Sequence, residues 1–218
     1  MPDVLRSSIE SDLHPVRPLP SPWRRALLVV VVTGTVAALA LAMIPVRSDM
    51  DQIPGWLGWG CSFLELAMGL FLVCLALREA VPGSGTPTGA ATGFLAAGML
   101  LQMLVGIATW LHSPGEQING DGVARGVGCL MHDSTMALPT FVVTAWLIVR
   151  ALPLRAPMAG MLGGAGAAIS ADAIIHLLCP FSSPAHVLVW HTGVIVLFMV
   201  LGWTAGKLWE ALRWRRRA

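Results

Sequence analysis

Residues 26–44 read ALLVVVVTGTVAALALAMI, an uncharged run that follows Arg24–Arg25 and stops at Pro45. At about 1.5 Å per residue, a helix of this length nearly covers the ~30 Å hydrocarbon core of a bilayer. Lipid offers no partner to an open backbone N–H or C=O, so a helix is the economical form for such a run. The stretch is too long for the apolar core of a signal peptide. Pro45–Val46–Arg47 follows it where a small-residue cleavage site would be needed, so it is expected to stay in the mature protein.

The same reading, carried outward, gives five more spans. They are 57–77, closed by Arg78–Glu79 and the Val81–Pro82–Gly83 break; 91–111; 131–150, after Arg125 and with Pro139 inside; 158–178; and 186–209. The expected fold class is therefore all-α: a polytopic membrane protein of six transmembrane helices. Residues 1–25 form a head and proline-rich linker, 26–210 the six-helix bundle, and 211–218 a basic tail. Composition agrees. Of 218 residues 56% are hydrophobic and only 12% charged, with mean hydropathy +0.72. A soluble domain carries about 25% charged residues. The net charge of +2 is too mild for a nucleic-acid face.

Lys and Arg set the orientation. Arg6, Arg17, Arg24 and Arg25 precede the first span, Arg78 follows the second, and Arg150 and Arg155 flank the turn between the fourth and fifth. Lys207, Arg213, Arg215, Arg216 and Arg217 end the chain, whereas only Arg47 and Arg125 fall on the other side. Both termini are expected in the cytoplasm. Trp23, Trp56, Trp59, Trp110, Trp190, Trp209 and Trp214 lie near span ends, where interfacial indoles belong.

Outside the lipid, the head is the largest cytoplasmic piece. Asp3 can cap a short helix that puts Leu5, Ile9 and Leu13 on one face. Four prolines between Pro15 and Pro22 then make a stiff, extended linker. A helix this short is marginal alone. It reads either as a frayed tail or as an apolar stripe that docks in a partner's groove. A membrane-lying helix is disfavoured, since Asp3, Glu10 and Asp12 outweigh Arg6. Within the bundle, Gly160, Gly163, Gly164 and Gly166, with Gly202 and Gly206 on the sixth span, invite close helix packing inside the chain.

Chemistry gathers at the outer rim. Cys129 and His132 are three apart on the fourth span, and His176 and Cys179 three apart at the end of the fifth; such pairs share a helix face. His186 and His191 begin the sixth span at the same depth, Cys61 and Glu65 begin the second, and Asp133 and Asp172 lie in the same half. Ionisable groups in a membrane turn inward and find partners.

Three readings stand side by side. The first is satisfied polar packing: His176 bonded to Asp172 one turn away, His132 to a neighbouring carbonyl, and the cysteines packed as small apolar side chains. The second is a Cys129–Cys179 disulfide in an oxidising envelope. The third is a copper or zinc site at Cys129 and Cys179, supported by His132, His176, His186, His191 and Asp172. Haem on neighbouring histidines is a minor variant of the third. Cys61 and Cys74 look structural. No nucleophile–base set, Walker loop or HExxH occurs, and no enzyme is expected.

Several marks follow one another along the chain: Pro15–Val16–Arg17–Pro18–Leu19–Pro20 after a short head; Arg47–Ser48–Asp49–Met50 after the first span; Val81–Pro82–Gly83; Gly128–Cys129–Leu130 and Leu138–Pro139 in the fourth span; Cys179–Pro180; Trp190–His191; and Leu212–Arg213–Trp214. Together these resemble the NrsF family of six-span membrane anti-sigma factors, over nearly the whole chain. The resemblance implies a negative regulator of transcription in the bacterial inner membrane. Its cytoplasmic head, here with Leu5, Ile9 and Leu13, would hold an extracytoplasmic-function sigma factor without touching nucleic acid itself. It further implies that Cys129 and Cys179 are the sensing thiols and that heavy-metal or oxidative stress is the signal class. The competing class is a membrane redox or metal-handling protein built on the Cys/His cluster.

Overall fold

The computed structural model describes Ser7, residues 19–112 and residues 122–215. Leu5, Ile9 and Leu13 lie outside the described residues. Among those described there are six long helices and no strand. α1 runs Pro22–Met43. A π-helical turn, Trp56–Gly60, leads into α2, Cys61–Glu79. α3 is Thr88–His112, α4 Gly122–Arg150 and α5 Ala156–Leu178. A short turn, Pro184–His186, and a second π-helical turn, Val187–His191, pass into α6, Thr192–Arg215.

Local chemistry explains the ends. Proline stands at the start of α1 and α5 and of the turn before α6, where its missing N–H costs nothing. Pro45 and Pro180 follow the residues that close α1 and α5. α4 begins at Gly122, earlier than the expected 131, so Cys129 sits inside a regular helix and not at its edge.

α5 is the axis of the bundle, with α2, α6 and α4 packed around it and almost every residue buried. Its glycines make this possible. A Cβ on Gly160 would run into the backbone of Gly202, one on Gly164 into the carbonyl of Phe198, and one on Gly206 into Ala156. Lipid supplies no hydrophobic drive between helices, so backbone approach through small residues carries the packing. On the other face of α5, Gly166 meets the backbone of Gly69 on α2.

The outside of the bundle is apolar, with Leu27, Val31, Leu39, Phe63, Leu100, Leu104, Val142, Val196 and Leu201 exposed. Among the described residues five helices are long and apolar enough to cross a membrane: Trp23–Met43, Trp56–Glu79, Thr88–His112, Ala156–Leu178 and Pro184–Arg213. α4 is not among them. Its His132, Asp133, Pro139 and threonines dilute the apolar run, and Asp133, Thr140 and Thr144 point into the bundle.

α1 is held on the rim by polar contacts. Near its start, the buried Arg25 guanidinium donates to Leu147 O at 3.3 Å and Leu77 O at 3.5 Å, carbonyls near the ends of α4 and α2. Midway, the hydroxyls of Thr33 and Thr140 bond at 3.0 Å. Beyond its end, Arg47 grips Asp49 through two hydrogen bonds of 2.6 and 2.8 Å. Arg47 also donates to Ser182 Oγ at 2.8 Å and to the carbonyls of His176 and Pro180, while its backbone N–H bonds Leu177 O at 3.0 Å. A cation thus caps the C-terminus of α5. At the other end of the bundle the buried Glu79 pairs with Arg155 at 3.2 Å and accepts from the backbone N–H of Thr86.

Candidate thiol–imidazole centre

Cys179 closes α5. Its N–H bonds Ile175 O at 2.7 Å, and its backbone turns extended ahead of Pro180. Cys129 reaches it from α4, and the two sulfurs lie 3.4 Å apart as free thiols. His186 comes from the turn that Ser183 caps, and its Nε2 stands 3.6 Å from Cys179 Sγ. His191 ends the π-helical turn. In an α-helix, residues five apart would point about 140° away from each other. The wider π turn, bonded i to i+5, stacks them instead, and the two rings lie 5.2 Å apart. Trp190 packs against Gly126 of α4, and Val187 against Gly106 of α3.

His191 Nδ1 donates to Asp172 Oδ1 at 2.7 Å, with both side chains buried. Its Nε2 is buried without a hydrogen-bond partner, as is Nδ1 of His186. The cysteine sulfurs and one ring nitrogen from each histidine lie within 4.8 Å of one another, a set able to hold a metal ion. Two further buried carboxyls stand close by. Asp133 groups with Asp172 and His191, and neither of its oxygens has a partner; Glu65 leaves Oε2 unpaired.

Glu65, Gln102, Asp172, His176, Cys179 and His191 share a cavity of about 30 Å³. A water needs ~10–15 Å³ on this measure, so the space suits water or a small ion and not a porphyrin. A second cavity, of about 180 Å³, is lined by Ile44, Cys129, His132, Ile175, Leu178, Cys179 and Pro180.

The structure brings four of the residues expected from sequence, Cys129, Cys179, His186 and His191, into one group, with Asp172 behind His191. His132 and His176 stand apart from it. His132 is exposed and bonds Gly128 O at 2.8 Å. Residues three apart on a helix differ by roughly 60° around its axis, enough to turn Cys129 inward and leave His132 outside.

The expected His176–Asp172 bond is replaced by others. His176 Nδ1 pairs with Ser62 Oγ and Nε2 with Thr109 Oγ1, both at 2.9 Å. The physical reason is competition, because His191 takes Asp172 while α2 and α3 present hydroxyls to His176. Thr109 also donates to Val105 O at 2.8 Å. With its one proton so used, His176 donates from Nε2 and accepts from Ser62 at Nδ1. Glu65 and Asp133, read from sequence as ionisable groups in the same half of the bundle, stand beside the centre, whereas Arg47 was legible only as a charge after an apolar run.

Five helices long and apolar enough to cross a membrane, packed around a largely buried thiol–imidazole group, fit a membrane protein whose Cys/His group could hold a metal ion. The family described as NrsF, negative regulator of sigma F, matches residues 10–214, and the chain belongs to it. It is thus a negative regulator of a sigma factor. No curated protein and no solved structure matches the chain.

Proposed function

We propose that the chain is a bacterial inner-membrane anti-sigma factor, with six spans and both termini in the cytoplasm. It acts as a regulator and not as an enzyme. Its head holds a sigma factor of the extracytoplasmic-function type, and a heavy-metal or oxidative signal at Cys129 and Cys179 releases it. The observation that carries this reading is the family match along residues 10–214, which takes in the whole bundle. The excess of Lys and Arg at the two termini and at the turns on that side supports the orientation. Sulfurs 3.4 Å apart support a paired response of the thiols.

A sigma factor presents basic surfaces meant for nucleic acid. A mildly acidic segment striped by Leu5, Ile9 and Leu13 is complementary to such a surface, and tethering raises its effective concentration. Release needs an element that the signal biases. α1 is suited to that part. It runs into the head's linker, its outer anchor Arg47 sits on the end of α5 that carries Cys179, and Ile44 lines the cavity beside the thiols.

The test is a reporter driven by the sigma factor, read beside capture of that factor by the full-length protein in membranes. Leu5→Asp, Ile9→Asp or Leu13→Asp should abolish capture and raise transcription while membrane insertion stays normal. Cys129→Ser and Cys179→Ser should each blunt the response to the signal, and the double variant should match the singles, because the pair acts as one unit. Capture that survives all three head substitutions would refute the head as the binding element.

A further inference from the structure

The thiols do not stand alone, and their neighbours have a ligand's geometry. A tetrahedral ion with bonds of ~2.3 Å to sulfur and ~2.0–2.1 Å to nitrogen sets edges of roughly 3.8 Å between two sulfurs, 3.6 Å between sulfur and nitrogen and 3.3 Å between two nitrogens. The two sulfurs are 3.4 Å apart, and Cys179 Sγ is 3.6 Å from His186 Nε2. A shift of a few tenths of an ångström would complete those edges. His191 is prepared in a second way. Its Nδ1 is engaged by Asp172, which fixes the ring and leaves Nε2 as the free donor atom, the arrangement in which a carboxylate orients a metal-binding imidazole. His186 and His191 are 2% and 6% exposed, so both rings are closed off from bulk water, and the unpartnered nitrogen of His191 is the Nε2 offered to the ion.

We propose that Cys129, Cys179, His186 and His191 form a tetrahedral site for a borderline-to-soft divalent cation of the zinc or cadmium class, with Asp172 as a positioning residue. The inference deepens the sensing role given to the two cysteines, and rests on it for its regulatory meaning only. Charge favours this composition. Two thiolates and two neutral imidazoles around a divalent ion sum to zero, the state that a site among membrane helices tolerates best. As each sulfur–metal bond forms, its S–H bond breaks and the proton leaves to water, so one ion displaces two protons and no electron moves. Access is from the cavity of about 180 Å³ that borders both cysteines. His132 lines that approach and His176 lies across the inner cavity; both stay outside the ligand set.

The experiment uses the reduced, full-length protein in detergent, titrated with cobalt(II) as a spectroscopic probe and then with zinc(II) in competition. One cobalt per chain is expected, with the visible spectrum of a tetrahedral ion, a thiolate charge-transfer band, two protons released per ion, and displacement by zinc. Asp172→Asn should weaken binding about 10–100-fold while the spectrum stays tetrahedral. His186→Gln and His191→Gln should weaken it further and alter the spectrum, and Cys74→Ser should change neither. If one histidine variant fails to insert, the other histidine and Asp172→Asn carry the test.

A cobalt spectrum that is not tetrahedral overturns the site. So does wild-type affinity in both histidine variants, which would leave a bare two-thiol chelate. Tetrahedral binding without sigma-factor release in membranes would support the site and overturn the regulatory reading instead.

Discussion

α1 and α5 are apolar helices of 22 and 23 residues that sit in opposite places. α1 is the more hydrophobic, yet only 17% of its apolar window lies inside the protein, against 83% for α5. In water the order would be reversed, because apolar area would drive burial. In lipid the tails already solvate Leu and Val. A helix moves inward when small residues let backbones touch and when polar groups need partners. α5 has both: glycines at Gly160, Gly163, Gly164 and Gly166, and the polar Ser170, Asp172 and His176. α1 has Thr33 in contact with the bundle and an arginine beyond each end of its apolar run. The centre is thus built on a fixed post, and the head is joined to a helix attached at three points.

The largest effect should come from filling the contact that makes α5 a post. In Gly164→Leu the new side chain would meet the α6 backbone at Phe198, which cannot rotate away. Ordinary overpacking costs about 1–3 kcal/mol, and backbone displacement exceeds it. Folded protein in membranes should fall sharply, with a large drop in the thermal midpoint in detergent. Leu39→Ala on the exposed face of α1 should stay within about 0.5 kcal/mol. Equal stability of these two variants would erase the contrast between the helices.

Next in size is Arg47→Ala. It takes the guanidinium away from the Asp49 carboxylate and uncaps α5 at the carbonyls of His176 and Pro180. Breaking a buried ion pair from one side costs about 3–5 kcal/mol. Denaturant unfolding of the purified protein measures the cost. The regulatory consequence is separate: sigma-factor capture should persist while the response to the signal is lost, because the outer end of α1 no longer follows α5. A full response in Arg47→Ala would exclude this anchor from the relay.

The contrast also explains what the sequence discloses. Helix positions follow from apolar runs and prolines, from 26–44 against Pro22–Met43 to 131–150 against Gly122–Arg150, where the polar first turns hid the start. The runs do not carry burial, since the strongest of them is the lipid-facing helix. Cys129, Cys179, His186 and His191 stand out as residue types at one depth. What joins the last two is a π-helical turn, and a five-residue spacing in sequence argues against a shared face. The partners of His176 were a matter of tertiary competition, since His191 of the π-helical turn takes Asp172 while Ser62 and Thr109 face His176. Arg47 reads as a stray outer charge until the end of α5 is seen beneath it. Segments that meet in space, here the body of α4, the end of α5 and the turn before α6, have no signature in any one of them.

The smallest effect belongs to the middle attachment. Thr33→Val leaves the buried Thr140 hydroxyl without its partner at 3.0 Å, and a cost of about 1 kcal/mol is expected. Thr33→Val with Thr140→Val removes donor and acceptor together and should cost less than the sum of the two single variants. The coupling from the double-mutant cycle should be near the ~0.6 kcal/mol typical of hydrogen bonds between membrane helices. Neither variant touches the thiol–imidazole group, so cobalt binding should be unchanged while α1 gains freedom between its two arginines. A helix held mainly at its ends would then keep its response to the signal, whereas loss of response in the double valine variant would make the midpoint, and with it α4 and Cys129, the route by which the centre moves the head.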